Sequence, residues 1–175
     1  WIAILNNSKK DIEFSLLQDL EELFSKGPVT PDHVIRIKSK PLIIKYKDID
    51  KINDLILEYT KNYIKYFEKY KGIIKPSIMT DPLPRIVIVQ GLGFFSIGRN
   101  IQEAKISSDI FNSMKHSILD SYKIGDFKSI GNKEIFKMEY WPLERAKLIC
   151  KNRKIAEGQV VIITGGAGTI GSATA

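Results

Sequence analysis

The chain has 175 residues, 43% hydrophobic, 27% charged and 10% aromatic, shares that exclude disorder, collagen and coiled coil and leave one globular domain, or one domain plus a piece of another. Its net charge of +7 rests on 22 Lys and only 5 Arg, and because base and phosphate recognition favours the arginine fork, a lysine excess spread along the chain argues against a nucleic-acid partner. One cysteine, Cys150, cannot close an internal disulfide, and no apolar run approaches the roughly 18 residues of a membrane span, so a secreted scaffold and a membrane protein are excluded and a cytoplasmic protein is expected.

Residues 2–5 are a short aliphatic run closed by Asn6, Asn7 and Ser8, which predicts a strand and a turn. From Ser15, Leu16, Leu17, Leu20, Leu23 and Phe24 recur at helical spacing until Gly27 and Pro28 end the pattern. Val34 to Lys38 reads as a strand on which Arg36, Lys38 and Lys40 alternate, and residues 41–45 read as a second extended piece, with Pro41 marking a strand start or edge. A solvated strand face explains that basic trio more simply than a phosphate contact. The longest helical pattern, 50–70, carries Ile52, Leu55, Ile56, Tyr59, Tyr63, Ile64 and Phe67 on one broad face. At this spacing its tyrosines predict core and rim packing rather than base stacking.

A connector with Pro76, Pro82 and Pro84 leads to the buried strand 85–89, which Gly91 and Gly93 break before a returning strand. Asn100 and Glu103 then sit at N-cap and capping-box positions of a helix over 100–122. Residues 125–131 form a loop, and 139–148 a short helix with Pro142 near its first turn. Residues 151–157 are charged and unpatterned, as a linker would be. Strands alternating with helices predict an α/β fold, a layered Rossmann-like sheet covered by helices.

The chemistry-bearing motif comes last. Gln159, Val160, Val161, Ile162 and Ile163 predict a buried strand running into Thr164, Gly165, Gly166, Ala167, Gly168, Thr169, Ile170 and Gly171, where Gly166, Gly168 and Gly171 make G-x-G-x-x-G. A dinucleotide needs a tight turn, bare backbone beside its pyrophosphate, and a helix N-terminus facing the phosphates. The segment resembles the opening of a short-chain dehydrogenase, an implication that assigns Thr164, Gly165, Gly166, Gly168, Ile170 and Gly171 to NAD or NADP. Thr169 departs from the classical form, which has glycine there.

A longer resemblance runs from residue 27 onward. Residues 27–36 (GPVTPDHVIR) with Lys38, Pro41 and Leu42, residues 81–93 (DPLPRIVIVQGLG), and Glu139, Tyr140 and Trp141 with Leu143, Glu144, Ala146, Lys147 and Leu148 are together similar to the bifunctional class II aldolase/short-chain dehydrogenases of the rhamnulose-1-phosphate aldolase and lactaldehyde dehydrogenase type. The resemblance implies a zinc aldolase domain, then this segment, then a dehydrogenase acting on a small hydroxy-aldehyde or sugar-derived substrate.

This division predicts a domain at 1–148, a linker at 149–157 and the truncated start of a nucleotide-binding domain at 158–175. The first residue is Trp1, and Ala175 falls just inside the helix that follows the glycine loop, so the chain reads as a fragment of a longer gene product. No catalytic or metal site is expected in it: its two histidines, His33 and His116, lie far apart, and the dehydrogenase Tyr, Lys and Ser are expected beyond Ala175. No cofactor is expected bound to the fragment. Around His33 an Asp or Thr capping a turn, with the histidine held beside it in the loop, explains the residues, and Cys150 reads as an inert thiol. The alternative reading is a noncatalytic module that joins an aldolase to a dehydrogenase. An unpaired strand at 159–164 predicts docking onto the sheet of 1–148 or self-association with a second copy.

Overall fold

The computed structural model describes residues 1–75, 78–148 and 161–174. In β1 (Ile2–Asn6), Ile2, Ile4 and Asn6 turn inward while Ala3 and Leu5 stay exposed, the period-two pattern of a half-covered strand. It joins β2 (Leu42–Ile44), β3 (Ile86–Val89) and β4 (Gly93–Gly98) in one sheet of order β1-β4-β3-β2. The β1–β4 and β3–β4 pairs are antiparallel and β2–β3 is parallel. β3 and β4 form a hairpin, and Gly93 is required there: its φ is +111°, and an added Cβ would lie 2.2 Å from the Asn6 carbonyl oxygen on β1.

Helices cover both faces, so the layered α/β expectation holds. On one face α5 (Ile101–Ile124) packs with α1 (Lys9–Ser15), α2 (Leu20–Ser25) and α3 (Pro31–Ile37) over Ile86, Ile88 and Phe94. In that core Phe14 meets Phe24 and Phe111 edge to face, as Phe94 meets Phe111 with centroids 4.8 Å apart, and Phe24 lies tilted against Phe111. On the other face α4 (Ile52–Tyr70) lays Leu55, Ile56 and Tyr59 over Leu42, Ile44, Val87 and Val89. β2, α4 and β3 form the one parallel β–α–β crossover among the described residues; the antiparallel pairs make the sheet mixed. A third cluster joins Phe67 of α4 to Phe136 and Tyr140, the latter two rings stacked at 4.4 Å, at the end of α6 (Asn132–Glu139), which α7 (Pro142–Ala146) follows.

Four expectations need correction. Residues 34–38 are not a strand: Thr30 caps α3 with Pro31 in its first turn, and Val34 and Ile37, three apart, bury one helical face. Arg36, Lys38 and Lys40 therefore share no strand face; Arg36 is helical, Lys38 is buried in a turn, and Lys40 is exposed. The pattern begun at Ser15 splits into α1 and α2, with Leu16 and Leu17 exposed between them, because Ser8 and Asp11 close a capping box that starts the helix earlier. The helix placed at 139–148 is two: Glu139 ends α6, and Pro142, which cannot donate into the α6 ladder, opens α7.

Residues 161–163 lie in no strand, and Val161 and Ile162 are 60% and 90% exposed, so this part of the tail does not dock on the sheet of its own chain. Residues 149–160, which hold Cys150, the linker and the start of the expected strand, lie outside the described residues.

Candidate functional site

The glycine segment forms a turn followed directly by α8 (Thr169–Thr174). Gly165 has φ +70°, the left-handed conformation that glycine adopts without strain, and the Gly168 N–H donates to its carbonyl at 2.9 Å. The first turn of α8 presses on this loop so closely that a Cβ at Gly171 would sit 2.2 Å from the Gly165 oxygen. At Gly166 and Gly168 a Cβ would come within 3.2 Å of the Ile163 and Gly165 carbonyls. Thr164 and Ile170 are exposed, Ile170 at 84%. The structure thus brings Thr164, Gly165, Gly168, Ile170 and Gly171 together around one open concavity with no charged side chain in it, while Gly166 lies in the turn but does not line it.

A second constellation was not read from the sequence. Lys38 follows α3 with φ 69° and ψ 169°, a conformation that costs a non-glycine residue energy, and this turns its side chain inward. Its ammonium lies 3.8 Å from the centre of the Tyr63 ring, donates to Thr80 Oγ1 at 2.6 Å, and stands 3.7 Å from Glu139 Oε1. Tyr63 donates to Glu139 Oε1 at 2.6 Å, and its oxygen is 2.7 Å from the Tyr140 hydroxyl. With Thr80 donating to Tyr63, these bonds form one consistent run of donors from Lys38 through Thr80 and Tyr63 to the carboxylate.

Lys38 and Glu139 are only 6% and 3% exposed. Burial pulls the Lys38 ammonium down to about 8, against the pull of the Glu139 charge. The same burial lifts the Glu139 carboxyl above its ordinary value, while Lys38, Tyr63, Tyr66 and Arg145 oppose the rise. It also drives the Tyr63 and Tyr66 hydroxyls upward, with the Glu139 charge adding to it. Beside the cluster, Asp81 and Arg85 pair at 3.3 Å. Among the described residues, buried Tyr66 OH, Glu139 Oε2 and Arg145 Nη1 have no hydrogen-bond partner of proper geometry.

The expected Thr30 cap is present, but His33 lies in the first turn of α3 rather than in a loop and completes a capping box with Thr30. The Thr30 N–H donates to His33 Nδ1 at 2.9 Å, which fixes the neutral tautomer with its proton on Nε2, and burial lowers the ring's pKa below 6.5. Among the described residues no group of three or more His, Cys, Asp and Glu is placed to hold a metal, and no helix is long and apolar enough to cross a membrane. A cleft of about 210 Å³ beside α3 is lined mainly by Pro28, Val34, Phe127, Ile130, Ile135 and Met138 and offers contact but little chemistry.

The Lys38 cluster draws on the three segments that carried the longer resemblance: Lys38 belongs to the first, Asp81 and Arg85 to the second, and Glu139 and Tyr140 to the third. The chain is 30% identical over 156 residues, 84% of its length, to the uncharacterized oxidoreductase YuxG of Bacillus subtilis (strain 168). It spans only 22% of that relative's length. The family described as aldolase class II, second domain, matches residues 1–148, the whole sheet and all the helices that cover it, and the chain belongs to this family.

Proposed function

We propose that the chain is the joint of a bifunctional enzyme, in which residues 1–148 are the second domain of a class II aldolase region and residues 158–175 open an NAD(P)-dependent short-chain dehydrogenase for a small hydroxy-aldehyde or sugar-derived substrate. The observation that carries this reading is the glycine turn. Gly165 lies in the left-handed region, and α8 packs so closely on it that a Cβ at Gly171 would strike the Gly165 carbonyl, a glycine-only loop-to-helix turn of the kind that suits a pyrophosphate. The relative's name as an oxidoreductase supports the same direction.

When bound, the nicotinamide supplies a hydride acceptor. The chain's own residues bind and orient: the first amides of α8 have no carbonyl partners within the helix and suit phosphate oxygens, and Thr164 orders the turn that leads to them. A second reading, a noncatalytic module joining two enzymes, draws support from Leu16 and Leu92, which are 52% and 40% exposed beside Gly91 and offer apolar contact area.

Two measurements test the proposal. In the full-length gene product, Gly171→Val should raise the NAD(P) KM for lactaldehyde oxidation more than tenfold and leave aldol cleavage unchanged. The 175-residue chain, with half a nucleotide site, should show no turnover and bind NAD only in the millimolar range or weaker by calorimetry. Dehydrogenase activity indifferent to Gly171→Val would overturn the assignment.

A further inference from the structure

We infer that β1 is a self-pairing edge: two copies of the chain join β1 to β1 antiparallel about a two-fold axis beside Ile4, with Ala3 of each copy opposite Leu5 of the other, in one continuous sheet. The inference does not depend on the nucleotide reading of the glycine turn.

The ladder shows which backbone groups are open. The Ile97 N–H donates to the Arg85 carbonyl at 2.8 Å, so Ile97, and with it Phe95 two residues away, directs its main-chain groups to β3. By alternation Ser96 and Gly98 turn theirs to β1, where they meet Ile4 and Ile2. Ala3 and Leu5, opposite Ile97 and Phe95, therefore aim their N–H and C=O groups away from the sheet, and nothing among the described residues receives them. The strand start is already ordered, because Trp1 lies over the Arg85 guanidinium at 4.2 Å, so pairing costs little chain entropy.

The two edges of the sheet differ. β2, at the other edge, has three residues, follows Pro41 and stands between Lys40 and Lys45, devices that keep an edge from pairing. β1 has five residues in unbroken register with β4 and lies in a stretch, Trp1 to Ser8, without charge or proline. In a chain of net charge +7, two copies can meet there without opposing lysines.

The occupant that fits this edge is a second copy. An antiparallel strand pair is symmetric, so one open edge is complementary to itself, and the two-fold closes after two copies. With the axis at Ile4, Ala3 and Leu5 of one copy face Leu5 and Ala3 of the other, and each pair exchanges two hydrogen bonds. A small side chain then stands beside a large one on the sheet face that no described helix covers. Ala3 is exposed there and Leu5 is 38% exposed, beside half-buried Phe95 and Ile97, because α4 lies over Leu42, Ile44, Val87 and Val89 instead.

Sedimentation equilibrium and oxidative cross-linking of the 175-residue chain, the latter in a Cys150→Ser background, test the pairing. The chain should dimerise with a Kd of about 100 μM or tighter. Leu5→Lys, at an exposed position, should weaken the dimer at least tenfold and leave the melting temperature of dilute protein unchanged, while Ile162→Asp in the exposed tail should not alter it. Mixing Ala3→Cys with Leu5→Cys should give a disulfide between the two variants, whose Cα atoms stand about 5.5 Å apart in this register. Neither variant alone should cross-link, since its two copies of the cysteine lie on a diagonal of about 7–8 Å. A monomer at millimolar concentration, a dimer insensitive to Leu5→Lys, or equal cross-linking of the single variants would overturn the pairing. A dimer lost with Ile162→Asp would overturn it too and place the contact in the tail.

Discussion

The Tyr63 hydroxyl and the Glu139 carboxylate, 76 residues apart in sequence, are joined by a 2.6 Å hydrogen bond. That bond ties α4, which covers one sheet face, to the α6–α7 corner, and Lys38 closes the arrangement from the end of α3. Taking both charges out of water is costly, and the cost is met only while every member keeps its partner.

Removing one charge should therefore hurt more than removing both. Lys38→Met or Glu139→Gln alone should cost about 3 kcal/mol, while the double variant should cost less than the sum by at least about 1 kcal/mol. Urea unfolding of the four proteins gives the coupling directly, and strict additivity would show that the two side chains do not feel each other.

Alkaline pH should strengthen the fold through Lys38. Its folded pKa of about 8 lies below the 10.5 of a free lysine, so between these values the unfolded chain binds more protons than the native one and stability rises with pH. From pH 8 to 10 the wild type should gain about 2 kcal/mol relative to Lys38→Met, an order-of-magnitude figure from the shift. A pH-independent difference between the two would mean that Lys38 titrates normally.

Acid should act through His33. Its ring accepts the Thr30 N–H only when Nδ1 is unprotonated, and burial already depresses its pKa below 6.5. The native state therefore resists protonation, and the stabilisation present above pH 6.5 is lost as pH falls through the folded value. His33→Gln keeps an acceptor at the capping-box position. The wild type should lose about 1 kcal/mol more than this variant between pH 7.5 and 5, read as melting temperature.

Deleting residues 158–175 should leave the melting temperature of the remainder unchanged within about 2 °C, because the described tail buries little: Val161 and Ile162 are largely exposed. Sedimentation of the intact and truncated chains at high concentration then reads self-association through the apolar tail. A collapse of the cooperative melt on deletion would place the tail within the core.

Sequence reasoning reached the elements whose periodicity is long or whose punctuation is strong. The α4 and α5 patterns repeat over several turns, and Gly91 and Gly93 mark the β3–β4 hairpin. It failed at α3, where Val34, Ile35 and Ile37 mimic a strand; the Thr30–Pro31 start signal outweighs that β-branched content. The Lys38 cluster was invisible for a different reason. A lone lysine in a lysine-rich chain reads as surface, and nothing local says that residue 38 adopts a left-handed backbone or that residues 63, 80 and 139 arrive beside it. The signal that could have found it was the resemblance itself, since its three segments supply most of the cluster.

The sheet order also sets a schedule for synthesis. β1 is synthesised before the other three strands of its sheet, yet its neighbour is β4, with Ile2 opposite Gly98 and Asn6 opposite Phe94. Until about ninety more residues have followed, β1 has no ladder to join, and its uncharged stretch from Trp1 to Ser8 must wait in solution or in a chaperone's grip. The β2–α4–β3 crossover, by contrast, can assemble as soon as its own residues emerge. Nascent chains halted before residue 93 should accordingly bind holdase chaperones through residues 1–8, and those extended past residue 98 should let go.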